Sequence, residues 1–135
     1  MILVVVAKVP TLEKSKTRLI PAFGRDGALS LAQAMLSDTL DRFAEIPDCR
    51  RILYFAPAHR SSELSSYQAS WELVPMPEHG DLGSSDLGSV LRTGYERVRD
   101  HKNPTLFIGM DTPDLPLDLL SEARDKAAAG NAVVH

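Results

Sequence analysis

The sequence has little cysteine and few aromatic residues. Cys49 is the only cysteine among 135 residues, so neither an intrachain disulfide nor a cysteine-rich metal site can form within the chain. The four histidines show no metal-ligand spacing either. A chain without disulfides is typical of a reducing compartment, which predicts a cytoplasmic location.

Long hydrophobic runs and the common nucleotide and hydrolase motifs are also missing. The apolar run at residues 2–7 is far shorter than the roughly 20 residues that cross a bilayer, and no charged segment precedes it as in a signal peptide. We therefore expect no membrane association. The sequence contains no Walker loop, no Gly-x-Gly-x-x-Gly and no Gly-x-Ser-x-Gly, which excludes P-loop, classical dinucleotide-binding and serine-hydrolase signatures.

Positive charge is scarce overall but concentrated near the start. The net charge is −3, which argues against a general nucleic-acid binder. The segment from Lys8 to Arg25 nevertheless holds five cations and one anion, a net charge of +4, which leaves −7 for the remainder. A basic segment on an acidic protein fits a small anionic ligand better than a long polyanion.

The apolar residues predict alternating strands and helices in a single domain, residues 1–135. The run at 2–7 shows no polar alternation, so it predicts a central parallel strand covered on both faces. Pro75 and Pro77 confine the strand at 71–74 to an edge of the sheet, or they mark the end of that strand. The predicted strands are 2–7, 51–56, 71–74, 105–110 and 131–135, and the predicted helices are 27–46, 61–70, 87–98 and 117–129. This alternation predicts a three-layer α/β/α fold with a mostly parallel sheet.

The loop after the first strand is the first candidate for binding chemistry. It carries Lys8, Lys16 and Arg18, whose side chains can surround phosphate oxygens with charge-assisted hydrogen bonds. Open α/β sheets bind phosphorylated ligands beyond the carboxyl ends of their strands. The alternative is a solvated surface loop, since most lysines and arginines are simply exposed.

Two further segments carry candidate ligands. Asp111 directly follows the predicted strand at 105–110, where a carboxylate can hold Mg²⁺ together with substrate phosphates. Asp114, in contrast, fits a turn or a helix cap. Asp86 to Gly88 begins a predicted helix, and such a start can either approach an anion through its backbone N–H groups or be an ordinary capped helix.

Four segments together resemble one known family. They are Ala7-Lys8-Val9-Pro10, Lys16-Thr17-Arg18-Leu19, Asp86-Leu87-Gly88 and the GMDTPDL stretch at 109–115. In this order they resemble the bacterial radical-SAM/selenodomain-associated transferase family, which is glycosyltransferase-like and has the nucleotide-diphospho-sugar transferase (glycosyltransferase-A) fold. That family is similar to the guanylyltransferases of molybdenum-cofactor and phospholactate-cofactor synthesis. The match runs over essentially the whole chain.

The resemblance implies roles for individual residues. Lys8, Lys16 and Arg18 would contact the nucleotide phosphates, with Lys16 and Arg18 acting in catalysis. Asp111 would bind Mg²⁺ or Mn²⁺, and Asp86 and Gly88 would lie near the nucleotide.

The chain departs from the family pattern in two places. Glu13 stands where the family usually has glycine, and the family continues with Gly-Pro-x-x-Asp-Gly-Gly-Tyr at the point where this chain stops, His135. We expect from the second departure that the chain lacks the acceptor part of the domain. An open final strand would also be a place for two copies to pair.

The sequence therefore predicts a metal-dependent nucleotidyl- or glycosyl-transferase-like protein. It would bind an NTP or a nucleotide sugar and transfer part of it to an unknown acceptor. The alternative is a non-catalytic nucleotide-binding or oligomerisation module derived from such a transferase. Neither hypothesis involves nucleic acid or a membrane.

Overall fold

A computed structural model of the chain describes residues 1–10, 20–77, 87–100, 102–110 and 116–128. The strands are β1 (Ile2–Lys8), β2 (Arg50–Ala56), β3 (Glu72–Pro75) and β4 (Thr105–Gly109). The helices are α1 (Ile20–Phe43), α2 (Leu87–Val98) and α3 (Leu117–Ala128), and a 3₁₀ segment at Ala58–Tyr67 connects β2 to β3. None of these helices is both long enough and apolar enough to cross a membrane. The predicted strand at 131–135 lies outside the described residues.

The four strands form one parallel sheet in the order β3-β2-β1-β4. β1 lies inside the sheet, and its Val5 is in register with Leu53 of β2 and Ile108 of β4. The side chains from Ile2 to Val5 are at most 2% exposed, as expected for a strand covered on both faces. The predicted central parallel strand and the predicted fold class are confirmed.

Alternate residues of β1 belong to two separate cores, one on each face of the sheet. Leu3 and Val5 pack with side chains of α1, α3 and the 3₁₀ segment, whereas Ile2 and Val4 pack with side chains of α2. A strand directs successive side chains to opposite faces, so one apolar run supplies both cores. Each buried valine or leucine contributes about 1.5–3 kcal/mol of hydrophobic stabilisation, and together they fix helices on both faces of the sheet.

Helix α1 differs from the prediction at both ends. The predicted helix begins at residue 27, but helical backbone begins at Ile20 and is interrupted at Gly24, where φ is 73°. Pro21 lies in the first helical turn, where its missing N–H removes no helical hydrogen bond. The helix ends at Phe43 and not at residue 46, with the chain turning before Pro47.

The predicted helix at 61–70 is wrong in type. The backbone there is a 3₁₀ segment, and only its Leu64 is buried. Serine side chains compete for backbone hydrogen bonds, and one buried residue gives little packing energy to hold an α-helix. The strand that follows, β3, pairs with β2 alone among the described strands and ends at Pro75, which agrees with the prediction from its prolines.

Tyr54 attaches α2 to the sheet. Its ring is 0% exposed, and its hydroxyl donates a hydrogen bond to the Val90 carbonyl at 3.0 Å. Gly94 lies against the ring so closely that a Cβ there would stand 2.7 Å from Cε2 of Tyr54. The Arg97 guanidinium adds a hydrogen bond to the Pro75 carbonyl at 2.8 Å. Helix α2 is therefore held at two neighbouring strands.

We expect the Gly94→Ala substitution to destabilise the protein by about 1–3 kcal/mol, the usual effect of overpacking a core. In a helix without a steric conflict, the same change would stabilise by up to about 1 kcal/mol. The measurement is urea unfolding of a double-mutant cycle with Tyr54→Leu, which removes the ring. Alanine at 94 should cost much less in the Tyr54→Leu background, and an equal cost in both backgrounds would show that the ring contact does not matter.

Tyr54 should also make stability depend on alkaline pH. Burial raises the pKa of its phenol above the ordinary value of 10.0, while nearby Arg97 acts in the opposite direction. The folded state then holds this proton more tightly than the unfolded state does. The resulting stability is fully present below pH about 10 and is lost as the pH rises through the folded pKa.

The Tyr54→Phe substitution should remove this loss at alkaline pH, although about 1 kcal/mol is lost at neutral pH because the Val90 carbonyl loses its donor. Urea unfolding from pH 8 to 11 measures both effects. Tyr95→Phe is the matched control, because Tyr95 is 42% exposed. If the free energies of unfolding of the wild type and Tyr54→Phe change in parallel from pH 8 to 11, the loss of stability at alkaline pH does not come from Tyr54.

Candidate functional site

The order of the strands reverses at β1. The chain places β2 and β3 on one side of β1 and then crosses to add β4 on the other side. In open α/β sheets, ligands bind outside the carboxyl ends of the strands at such a reversal. We call the carboxyl ends of β1 and β4, residues 8–9 and 109–110, the switch point.

The two strand ends are joined directly at the switch point. The Lys8 backbone N–H donates to Sδ of Met110 at 3.3 Å. On the other side of β1, the Val9 N–H donates to the Ala56 carbonyl at 2.8 Å, so the strand stays bonded to β2 as it leaves the sheet. The backbone that carries Lys8 is therefore held on both sides.

The Lys8 side chain is exposed at this edge, and its ammonium makes no ion pair within the described residues. The arginines at the opposite edge differ. Arg50 forms two hydrogen bonds of 3.0 Å with Glu72, and Arg51 donates to the Ile46 and Ser70 carbonyls. These arginines connect structural elements, whereas the Lys8 ammonium forms no such connection within the parts of the chain that the structure describes.

Helix α1 contributes a buried threonine to the switch point. Thr39 is 0% exposed, and its hydroxyl lies 2.7 Å from the Met35 carbonyl and 3.0 Å from the Met110 carbonyl. Sequence reasoning missed this residue. The available signal was a hydroxyl at helical spacing within an otherwise apolar face that also contains Leu36, Leu40 and Phe43.

Only two of the predicted site residues lie within the described residues. Lys8 is at the end of β1, and Gly88 is an exposed residue in the first turn of α2. Lys16, Arg18, Asp86 and Asp111 lie outside the described residues, so their roles stay predictions. The structure does fix the residue that precedes Asp111 in the chain, Met110, beside the end of β1.

A small pocket lies next to the switch point, on the α1 face of the sheet. Its volume is about 180 Å³, and its lining includes Val9, Pro10, Gln33, Leu36, Glu63 and Tyr67. Glu63 is paired with Arg60 at 3.0 Å. Ligand pockets usually measure about 300–1,000 Å³, so this one holds a group of ring size and not a whole nucleotide.

Neither metal ligands nor shifted pKa values mark a site in the parts of the chain that the structure describes. No group of three or more His, Cys, Asp or Glu side chains there could hold a metal ion. Burial raises the pKa of the Cys49 thiol, and the hydrogen bonds that Arg50 donates to Glu72 raise the pKa of Arg50, but both residues lie at the amino end of β2. The switch point is identified by topology and by its contacts.

Comparison with known proteins places the chain in a family. Residues 39–135, well over half of the chain, match the family described as "Uncharacterized protein conserved in bacteria (DUF2064)". The chain belongs to the DUF2064 family. No curated protein matches this DUF2064 member at a significant level.

A solved structure shares the fold of this DUF2064 chain. It is described as a "putative nucleotide-diphospho-sugar transferase" from Desulfovibrio desulfuricans G20, and it aligns with a TM-score of 0.75 at 22% sequence identity. The alignment covers 93% of this chain and 53% of the solved one, so the chain spans about half the length of that protein. The likeness shows that the four-stranded parallel sheet and its helices have the nucleotide-diphospho-sugar transferase fold.

Proposed function

We propose that this DUF2064 chain is the donor-binding part of a metal-dependent transferase. The donor is an NTP or a nucleotide sugar, and the reaction transfers a nucleotidyl or glycosyl group. Within that class we propose the radical-SAM/selenodomain-associated transferases, whose motifs the sequence resembles at 7–10, 16–19 and 109–115.

The contact between Lys8 and Met110 is the observation that carries the proposal. It joins the carboxyl ends of β1 and β4 at the point where the strand order reverses. The basic loop follows β1, and Asp111 follows β4 in the sequence. A cationic group and a carboxylate on either side of one crevice are what a metal–diphosphate group requires.

The proposal assigns a role to each predicted site residue. Lys8, Lys16 and Arg18 bind the donor phosphates, and Lys16 and Arg18 also stabilise the negative charge that develops on the leaving diphosphate. Gly88, in the first turn of α2, and Asp86, two positions before it in the sequence, lie near the nucleotide, where backbone N–H groups of a helix start can face an anion. Glu13 lowers the net positive charge of the loop and is available to pair with Lys16.

Mg²⁺ or Mn²⁺ fits this arrangement only as part of a metal–nucleotide complex. The described residues do not provide a metal cage, and Mg²⁺ is usually held by one or two carboxylates together with substrate phosphates. Asp111 would supply the carboxylate. When bound, the ion neutralises charge on the diphosphate leaving group.

We expect the chain to bind an NTP or a nucleotide sugar more tightly with Mn²⁺ than without it, as measured by calorimetric titration. Asp111→Asn should abolish the metal-dependent part of the affinity. Lys8→Ala should weaken binding about tenfold, close to 1.4 kcal/mol, because a charge-assisted phosphate contact is lost.

Two matched variants serve as controls. Lys102→Ala removes an exposed lysine near the amino end of β4, and Asp38→Asn removes an exposed carboxylate on α1. Both should bind like the wild type. Absence of binding for every NTP and nucleotide sugar would refute the donor-site proposal. Tight binding with no transfer to any acceptor would instead favour the non-catalytic module.

A further inference from the structure

Thr39 is a buried residue at a position where packing alone would favour an apolar side chain. Apart from the aromatic residues Tyr54 and Trp71, it is the one buried residue with a polar or charged side chain among the described residues. A buried hydroxyl lowers stability unless it is hydrogen-bonded, and an apolar residue of the same shape would avoid that cost. A threonine at this position therefore calls for a specific partner.

The partner that matters is the carbonyl of Met110. A threonine hydroxyl has one proton, and two carbonyl oxygens lie within reach, Met35 at 2.7 Å and Met110 at 3.0 Å. The Met35 carbonyl is the ordinary acceptor within a helix, four residues back, where the Thr39 backbone N–H already donates. The Met110 carbonyl belongs to a different element, 71 positions along the chain.

Met110 is consequently held through two different atoms. Its carbonyl oxygen accepts from Thr39 of α1, and its sulfur accepts from the Lys8 N–H of β1. The two contacts come from different elements and hold both the backbone and the side chain of this residue. Asp111 is the next residue in the sequence.

We infer that Thr39 is a positioning residue for the donor site. Its hydroxyl holds the Met110 carbonyl, and so sets where the chain leaves β4 relative to the end of β1. The inference rests on the proposed function, because the ligand of the donor site is taken to be a metal–nucleotide complex. The hydrogen bond acts on the metal-dependent part of donor binding, because that part depends on the residue directly after Met110.

The test compares Thr39→Val, which keeps the volume and removes the hydroxyl, with Thr39→Ser, which keeps the hydroxyl. Calorimetry measures NTP affinity with and without Mn²⁺, and thermal unfolding measures stability. Thr39→Val should lose about fivefold in Mn²⁺-dependent affinity, the equivalent of one hydrogen bond of about 1 kcal/mol, while the metal-free affinity stays unchanged. Thr39→Ser should stay within about twofold of the wild type.

Thr93→Val is the matched control. Thr93 is a half-buried threonine on α2, the helix that packs on the opposite face of the sheet. Thr93→Val makes the same change of residue type within a helix as Thr39→Val, so the two variants have the same change in helix propensity. The control should bind nucleotide like the wild type. Equal losses in Thr39→Val and Thr93→Val, or no loss in Thr39→Val, would overturn the inference. If Thr39→Val does not fold, the pair Thr39→Ala and Thr39→Ser gives the same comparison of a missing and a retained hydroxyl.

Hydrogen exchange separates failure of this inference from failure of the proposed function. If the wild type binds no nucleotide, the proposed function fails, and exchange alone then decides the role of Thr39. Backbone amides at 109–112 should exchange about fivefold faster in Thr39→Val than in the wild type, whereas those of β2 should not change. Unchanged exchange at 109–112 would overturn the positioning role whether or not nucleotide binds.

Discussion

The parallel pairing of β1 with a neighbour on each side is the constraint on which the rest of the structure depends. Parallel strands end at the same edge, so pairing β1 with β2 and β4 brings three carboxyl ends together whatever the loops contain. The reversal of strand order at β1 then selects one position on that edge. The location of the candidate site is thus a consequence of backbone pairing and not of any single catalytic motif.

Burial on both faces maintains that pairing. One core holds α1, α3 and the 3₁₀ segment against the sheet, and the other holds α2 through Tyr54 and Gly94. The first core also connects to the switch point, because Met110 packs against it and Thr39 lies on the same face of α1. Packing and site geometry therefore share residues, and a core position can influence ligand binding without touching the ligand.

The sequence predicted those features that depend on local pattern. Unbroken apolar residues predicted β1 as a central strand, and prolines predicted that β3 lies at an edge or ends where they begin. Predictions from the sequence failed where tertiary packing or backbone conformation determines the structure. Gly24 interrupts α1, which the spacing of apolar residues does not show. The segment at 58–67 buries one leucine, which is too little packing to hold an α-helix. Of the candidate site, Lys8 was predicted on the loop after the first strand, and it is the last residue of β1. Thr39 could not be assigned, because its partner lies 71 positions away.

The central claim is that a metal–nucleotide complex binds at the carboxyl ends of β1 and β4. Paramagnetic broadening of backbone amide signals by a Mn²⁺–NTP complex tests it most directly. A seven-residue strand such as β1 spans about 20 Å, a separation that resolves the two edges of the sheet. The account predicts strong broadening at Lys8, Val9 and Met110 and little at Ile2, Arg50 and Thr105. Broadening centred on the second group, or spread evenly over both, would contradict it.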